Sequence, residues 1–239
     1  MTNSNIFSDF RREFFILVEK SSNIVITSHM SPDDDSIGSV LSIYTILTER
    51  YTEKNIRIVY TGQIVERYNV FHNFKKIEWV DDISNHIEGA DTLITLDASN
   101  WRRFTKMPEK LETIPVRIAL DHHASEPDVY TLLLHRKEYS SNAELVYRTF
   151  FEGEELSKEI AEHLLLGVLG DTGNFSYISS KQTDVLLLAK KLIEVLGVRI
   201  EEFRSRYGGI PKKIIPLIQE LVKNMKYQDT NNWPDFQYS

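Results

Sequence analysis

Three short apolar runs constrain this chain most: Ile24-Val-Ile-Thr27, Thr92-Leu-Ile-Thr-Leu96 and Val116-Arg-Ile-Ala-Leu120. Near-continuous apolar stretches of this length, separated by helical patterns, read as strands of a parallel sheet covered on both faces. Each run gives way at once to residues that strands do not bury for nothing. The first leads to His29-Met-Ser-Pro-Asp33-Asp34-Asp35-Ser36-Ile-Gly38-Ser39, the second to Asp97-Ala-Ser99, and the third to Asp121-His122-His123. In sheets of this kind ligands bind beyond the carboxyl ends of the strands, so all three endings are predicted to share one edge. Carboxylates gathered there repel one another and cost desolvation energy unless something positive sits among them. A divalent cation is the simplest candidate.

The remaining pattern completes an α/β chain. An amphipathic opening helix is predicted over 7–20 and a second over 36–50, with Gly38 in its first turn for close packing. Further strands are expected at 56–60, 77–80 and 130–135, with a helical turn at 83–87. A helix over 141–151 carries Ser140 or Ser141 as N-cap and Glu144 as its capping-box partner. An apolar helix over 157–169 delivers Gly170-Asp171-Thr172-Gly173-Asn174-Phe175, and helices follow at 181–196, 199–207 and 211–226. Residues 1–226 are thus expected to form one catalytic domain. The polar, aromatic segment 227–239 reads as a linker.

Composition removes several chemistries. The 239 residues include no cysteine, which excludes disulfides, thiolate catalysis and Cys-ligated zinc. Any metal must then be held by His, Asp and Glu, a set that suits Mn²⁺ best, with Mg²⁺ or Co²⁺ possible. The net charge of −7 argues against a long duplex DNA footprint, but not against a short nucleotide held by metal ions. The segment Met1–Asp9 lacks the cationic start and apolar core of a signal peptide, and no apolar run reaches membrane-spanning length. A cytoplasmic protein is predicted. The sequence leaves the oligomeric state open, a homodimer included.

The candidate ligands are His29, Asp33, Asp35, Asp97, Asp121, His122, His123 and Asp171. A lone Asp after a strand is more often a cap or a turn residue, and a lone histidine pair more often a surface feature. Four such endings at one sheet edge are another matter. They are also more than one metal needs, and so point to a pair of ions about 3.5–4 Å apart that suits displacement at phosphorus.

The ordered motifs H-x-x-P-D-x-D-S-I-G-S, L-D-A-S, D-H-H and G-D-T-G-x-F resemble those of the DHH phosphoesterases (RecJ-like). They look most like the small oligoribonuclease and pAp-phosphatase (NrnA-type) branch. Ser141-Asn142-Ala143-Glu144 is similar to that family's S-S-T-A-E segment. The resemblance implies that His29, Asp33 and a bridging Asp97 hold one Mn²⁺, while Asp35, Asp97, His122 and Asp171 hold the other. It implies that His123 lies near the phosphate, that Arg102 or, better, Arg103 binds substrate, and that Asp121 orients a ligand histidine. The nucleophile would be a water between the metals. The implied activity is hydrolysis of short oligoribonucleotides, pAp or dinucleotides. The alternatives are a phosphoanhydride hydrolase, pyrophosphatase- or polyphosphatase-like, and a nucleotide-binding module without turnover. The branch also carries a second, C-terminal domain (DHHA1) with a G-G-G-H segment. No such segment occurs in this sequence, so 227–239 is expected to be a linker or that domain's beginning. Asp34 stands where the family commonly has a small residue, and its role is not legible.

Overall fold

The protein is described here from a computed structural model covering residues 3–209, 215–224, 226–230 and 233–237. The chain divides into two compact units, residues 1–200 and 201–239.

The first unit is built on a six-stranded sheet in the order β3-β2-β1-β4-β5-β6, with every pairing parallel. The strands are β1 (Asn23–Thr27), β2 (Asn55–Thr61), β3 (Ile77–Val80), β4 (Thr92–Leu96), β5 (Val116–Asp121) and β6 (Leu132–His135). The chain steps outward from β1 to β3, returns to β4 on β1's other side, and steps outward again. The strand order therefore reverses between β1 and β4, and a crevice opens there beyond the carboxyl ends. His29 follows β1 and Asp97 follows β4, so both lie at that crevice.

Both faces are covered, as the apolar strands require, but by different means. Val25, Val59 and Leu93 pack with Ile83, Trp101, Phe104, Leu111 and Ile114. These residues come largely from short 3-10 turns at Ile83–Asn85, Trp101–Arg103 and Pro108–Thr113. The long helices α1 (Asn3–Lys20), α2 (Asp34–Arg50) and α3 (Asn142–Phe150) pack on the strands, α4 (Lys158–Asp171) packs on α2 and α3, and α5 (Asp184–Leu196) packs on α4. Ile37, Val40, Leu41, Ile43 and Leu47 of α2 are fully buried.

Helices α2 and α4 approach closely because glycine lines their contact. A Cβ on Gly38 would collide with the carbonyl oxygen of His163, and one on Gly167 would come within 2.6 Å of Ala143 Cβ and Asp35 Oδ1. The start of α2 is set by Asp33, so the helix begins at Asp34, two residues before the expected position 36. Asp33 Oδ1 accepts from the Ser36 amide at 2.9 Å, and Ser36 Oγ accepts from the Asp33 amide at 3.0 Å, a reciprocal capping box. Segment 64–76, of mixed pattern in the sequence, folds into 3-10 turns at Glu66–Val70 and Phe74–Lys76.

Helix α6 (Ile200–Ser205) begins on the last residue of the first unit, and the second unit also holds α7 (Ile215–Asn224) and an antiparallel pair, β7 (Lys226–Thr230) with β8 (Trp233–Gln237). The start of the helix expected at 211–226 lies outside the described residues. The pair β7–β8 falls within the segment read as a linker or the start of a further domain. Among the described residues no helix is long and apolar enough to cross a membrane.

Candidate metal centre

Every predicted ligand reaches the crevice from the end of an element. His29 lies two residues beyond β1, in a loop pinned by the Met30 amide donating to the Arg103 carbonyl at 2.8 Å. Asp33 caps α2 and Asp35 sits in its first turn. Asp97 follows β4 with φ 57°, a left-handed backbone that Asp tolerates better than most residues. Asp121 ends β5, His122 and His123 follow it, and Asp171 ends α4.

Asp97 is the hub. Its Oδ2 lies 3.2 Å from His29 Nε2, which is also 3.4 Å from Asp33 Oδ2. Its Oδ1 lies 3.3 Å from His122 Nε2 and 3.2 Å from His123 Nδ1. His122 Nε2 is in turn 2.9 Å from Asp171 Oδ2 and 3.7 Å from Asp35 Oδ2. Three groups have donor atoms close enough to hold one ion each: His29–Asp33–Asp97, Asp97–His122–His123 and Asp35–His122–Asp171.

The chemistry of these atoms fits a cation. His122 Nδ1 lies 3.3 Å from the Tyr139 carbonyl, which can only accept, so in the neutral ring Nδ1 carries the hydrogen and Nε2 is left with its lone pair. That lone pair faces three carboxylates. With no proton on that nitrogen, His122 Nε2 and Asp97 Oδ1 are both buried and lack a hydrogen-bond partner. Acceptors facing acceptors in a dry site need a proton or a metal between them. The ionisation equilibria carry the same strain. Burial disfavours charge on His122, but hydrogen bonding to Asp171 and Asp97 outweighs it and lifts the pKa to about 11. His29, buried beside Asp33 and Asp97, is raised to about 9 on the same balance. His123, beside Asp121 and Asp97, is also raised to about 9. Burial pushes Asp97 upward, yet the three imidazoles hold it far below the usual carboxylate range. Asp35 is raised well above that range, first by complete burial and then by Asp171 and Asp97. Raised histidines and a depressed Asp97 are the pattern of a site whose carboxylates call for positive charge.

The support around the centre is partly what the sequence suggested. Asp121 accepts from the amide and hydroxyl of Ser99 at 2.7 and 2.5 Å. It also accepts from the His123 amide and faces His123 Nδ1 at 2.9 Å. It therefore orients His123, whereas His122 is oriented by Tyr139. Burial raises the Asp121 pKa, but hydrogen bonds from His123 and Ser99 pull it down to about 2. Of the two arginines, Arg103 is the one at the centre, its Nη1 donating to the Asp97 carbonyl at 3.3 Å. Arg102 is exposed.

Three features were not legible beforehand. The amides of Asn142 and Ala143 at the start of α3 donate to Asp35 Oδ2 and Oδ1 at 2.5 and 2.8 Å, so a helix N-terminus grips this ligand. The capping serine Ser141 was the available signal; the target of the free amides was not. Asp34 points away from the ligands. Its Oδ1 accepts from Arg67 at 2.5 Å and from the Tyr68 hydroxyl at 2.7 Å, and the side chain packs on Gly170. Finally, Gly173, Asn174 and Phe175 are consecutively left-handed, at φ 54°, 55° and 70°, in the turn after Asp171. The ring of Tyr177 rests on Gly173 and is 76% exposed.

Residues 23–168 match the DHH family, N-terminal domain. The chain is 28% identical over 188 residues to the bifunctional oligoribonuclease and PAP phosphatase NrnA of Bacillus subtilis, covering 77% of this chain and 56% of that protein. It is equally 28% identical over 188 residues to a probable manganese-dependent inorganic pyrophosphatase of Lactococcus lactis, covering 77% and 59%. The chain thus spans under two thirds of the length of these relatives. The crystal structure of an exopolyphosphatase-related protein from Bacteroides fragilis superposes with a TM-score of 0.78 at 26% identity, over 92% of this chain and 66% of that one. With most of the sheet and the D-H-H ending inside the matched region, this chain belongs to the DHH family.

Proposed function

We propose that this chain is the catalytic part of a metal-dependent phosphoesterase that holds two divalent cations, Mn²⁺ by preference, and hydrolyses short oligoribonucleotides, pAp or dinucleotides. The observation that carries the reading is Asp97, which turns one carboxylate oxygen toward His29 and the other toward His122. A residue so placed can serve two ions at once. In this reading His29, Asp33 and Asp97 form one pocket, and Asp35, Asp97, His122 and Asp171 the other. When bound, the ions supply Lewis-acid stabilisation of phosphoryl oxygens and a nucleophile usable near neutral pH. All these residues lie in the 1–200 unit; residues 1–226 would form the catalytic domain, with 227–239 leading on from it.

The chain's own groups do the rest. His123 has its Nδ1 committed to Asp121 and Asp97, which leaves Nε2 for the substrate. The Asp121 carboxylate at Nδ1 favours the protonated ring, which from Nε2 would give a proton to the departing oxygen as the P–O bond breaks. Arg103 spends one nitrogen on Asp97 and keeps the remaining N–H donors for a phosphate. The Asp121–Ser99 pair holds His123 in one orientation.

A second reading, phosphoanhydride hydrolysis, is favoured by the name of the Lactococcus lactis relative. The exposed ring of Tyr177, on the turn after Asp171, supports a nucleotide instead, because it offers a stacking face that pyrophosphate cannot use. Product analysis with pApA, pAp and pyrophosphate in Mn²⁺ separates the two. Turnover of the nucleotides above pyrophosphate is expected; the reverse order, or hydrolysis undiminished in Asp97→Ala, would sink the proposal.

A further inference from the structure

Asn142 is fully buried at the first position of α3, and its polar groups reach four parts of the frame around the centre. Its backbone amide donates to Asp35 Oδ2 at 2.5 Å. With the side-chain amide oriented so that both ends are satisfied, the NH₂ donates to the Leu120 carbonyl at 2.9 Å. The oxygen then accepts from the Asp97 amide at 3.3 Å and from the Ser39 hydroxyl at 3.0 Å. The same Leu120 carbonyl accepts from the Asp97 amide at 2.9 Å.

These contacts converge on the two carboxylates that most need fixing. Asp97 is held at a positive φ, a conformation that persists only where its surroundings determine it. Asp35 is wholly buried among negative neighbours and stays in place because backbone amides hold both its oxygens. One residue therefore bonds the backbone of the shared ligand with its side chain and the carboxylate of the second pocket with its main chain. The main-chain contact is open to any residue but proline; no other side chain of similar size would make the side-chain ones. Asp would set a carboxylate oxygen against the Leu120 carbonyl, Ser would not span Leu120 and Ser39 together, and Ala would take a partner from the Ser39 hydroxyl and leave the Asp97 amide and Leu120 carbonyl with only each other in a dry site.

We infer that Asn142 is a positioning residue that sets the spacing of the two cation pockets by locking Asp97 and Asp35 in one frame. This rests on the two-cation reading above. The plainer alternative is that Asn142 only satisfies a buried turn. Its loss would then lower stability without altering how two ions are held relative to each other.

The readout is the electron paramagnetic resonance of Mn²⁺ added to the full chain, with binding followed by titration and folding by circular dichroism. The unmutated protein is expected to give the exchange-coupled signal of a bridged pair. Asn142→Ala is expected to fold and still take up Mn²⁺, with affinity for the second ion about 10-fold weaker and the coupled signal replaced by that of isolated ions. A folded Asn142→Ala with the unmutated spectrum and affinity would overturn the inference. Ser39→Ala provides the check if Asn142→Ala does not fold, because it removes only the hydroxyl that steadies the amide from α2. A partial loss of coupling is expected there, and an unchanged spectrum would overturn the inference too. If the unmutated protein shows no coupled pair, the two-cation reading itself fails and Asn142 has no pair to position.

Discussion

The two proposed cation pockets share Asp97 but are built differently. In the pocket of Asp35, His122 and Asp171, two of the three ligands are anchored from outside the pocket. Asp35 is completely buried and gripped by two α3 amides, and His122 is fixed by the Tyr139 carbonyl. In the pocket of His29 and Asp33, the Asp33 side chain is 49% exposed, and its Oδ1 is already committed to capping α2. One pocket is preorganised; the other keeps a solvent-facing ligand on a helix cap. An ion in the first should be held tightly for structure and charge, whereas an ion in the second should exchange more readily.

Removing what the pockets share should do the most damage. Asp97→Ala strips both, and with several kcal/mol of transition-state charge stabilisation at stake, hydrolysis should fall about 1,000-fold or more. Steady-state assays in saturating Mn²⁺ check this. Next come the unshared aspartates. Asp35→Asn should weaken Mn²⁺ binding by roughly 10–100-fold, because it also turns an amide toward the α3 N-terminus. Asp33→Asn should cost about 10-fold or less, since Asn keeps the cap. Titration of both variants compares the pockets directly, and equal losses would break the contrast.

Protons compete with the metal, and the direction is fixed by the histidines. His29 and His123 are raised from 6.5 to about 9, and His122 to about 11. A group with a raised folded pKa contributes stability that is fully present below its unfolded value and is lost as pH rises through the folded one. The metal-free protein should therefore lose thermal stability from about pH 6.5 to about pH 9, and on toward pH 11 through His122, and the gain in Tm on adding Mn²⁺ should grow over that interval. Melting curves in chelator and in Mn²⁺ test this; a gain that shrinks with pH would contradict it.

The smallest effects lie outside the pockets. Gly38→Ala would press a methyl group on the His163 carbonyl and should cost about 1–3 kcal/mol in denaturant unfolding. Arg67→Ala removes the partner of Asp34 from a side chain that is 42% exposed, so solvent screening limits the loss to about 0–1 kcal/mol.

Much of this was readable in the sequence because it depends on strand endings. Apolar runs fixed β1, β4 and β5, and the residues just past them had to share an edge. The crevice between β1 and β4 follows from strand order, which local pattern does not encode. Asp34 was opaque because Arg67 and Tyr68 lie more than thirty positions away in a segment of mixed pattern. The clamp on Asp35 was opaque for the same reason: |i−j| is 107 for its contact with Asn142. Helix starts were misjudged where one residue serves two purposes, as Asp33 does in capping α2 while facing His29.

The account stands on two pockets joined by Asp97, and calorimetric titration of Mn²⁺ into metal-free protein tests it most directly. Two ions per chain of unequal affinity are predicted for the unmutated protein, and at most one weakly held ion for Asp97→Ala. A single ion in the unmutated protein, or two ions held undiminished by Asp97→Ala, would contradict it.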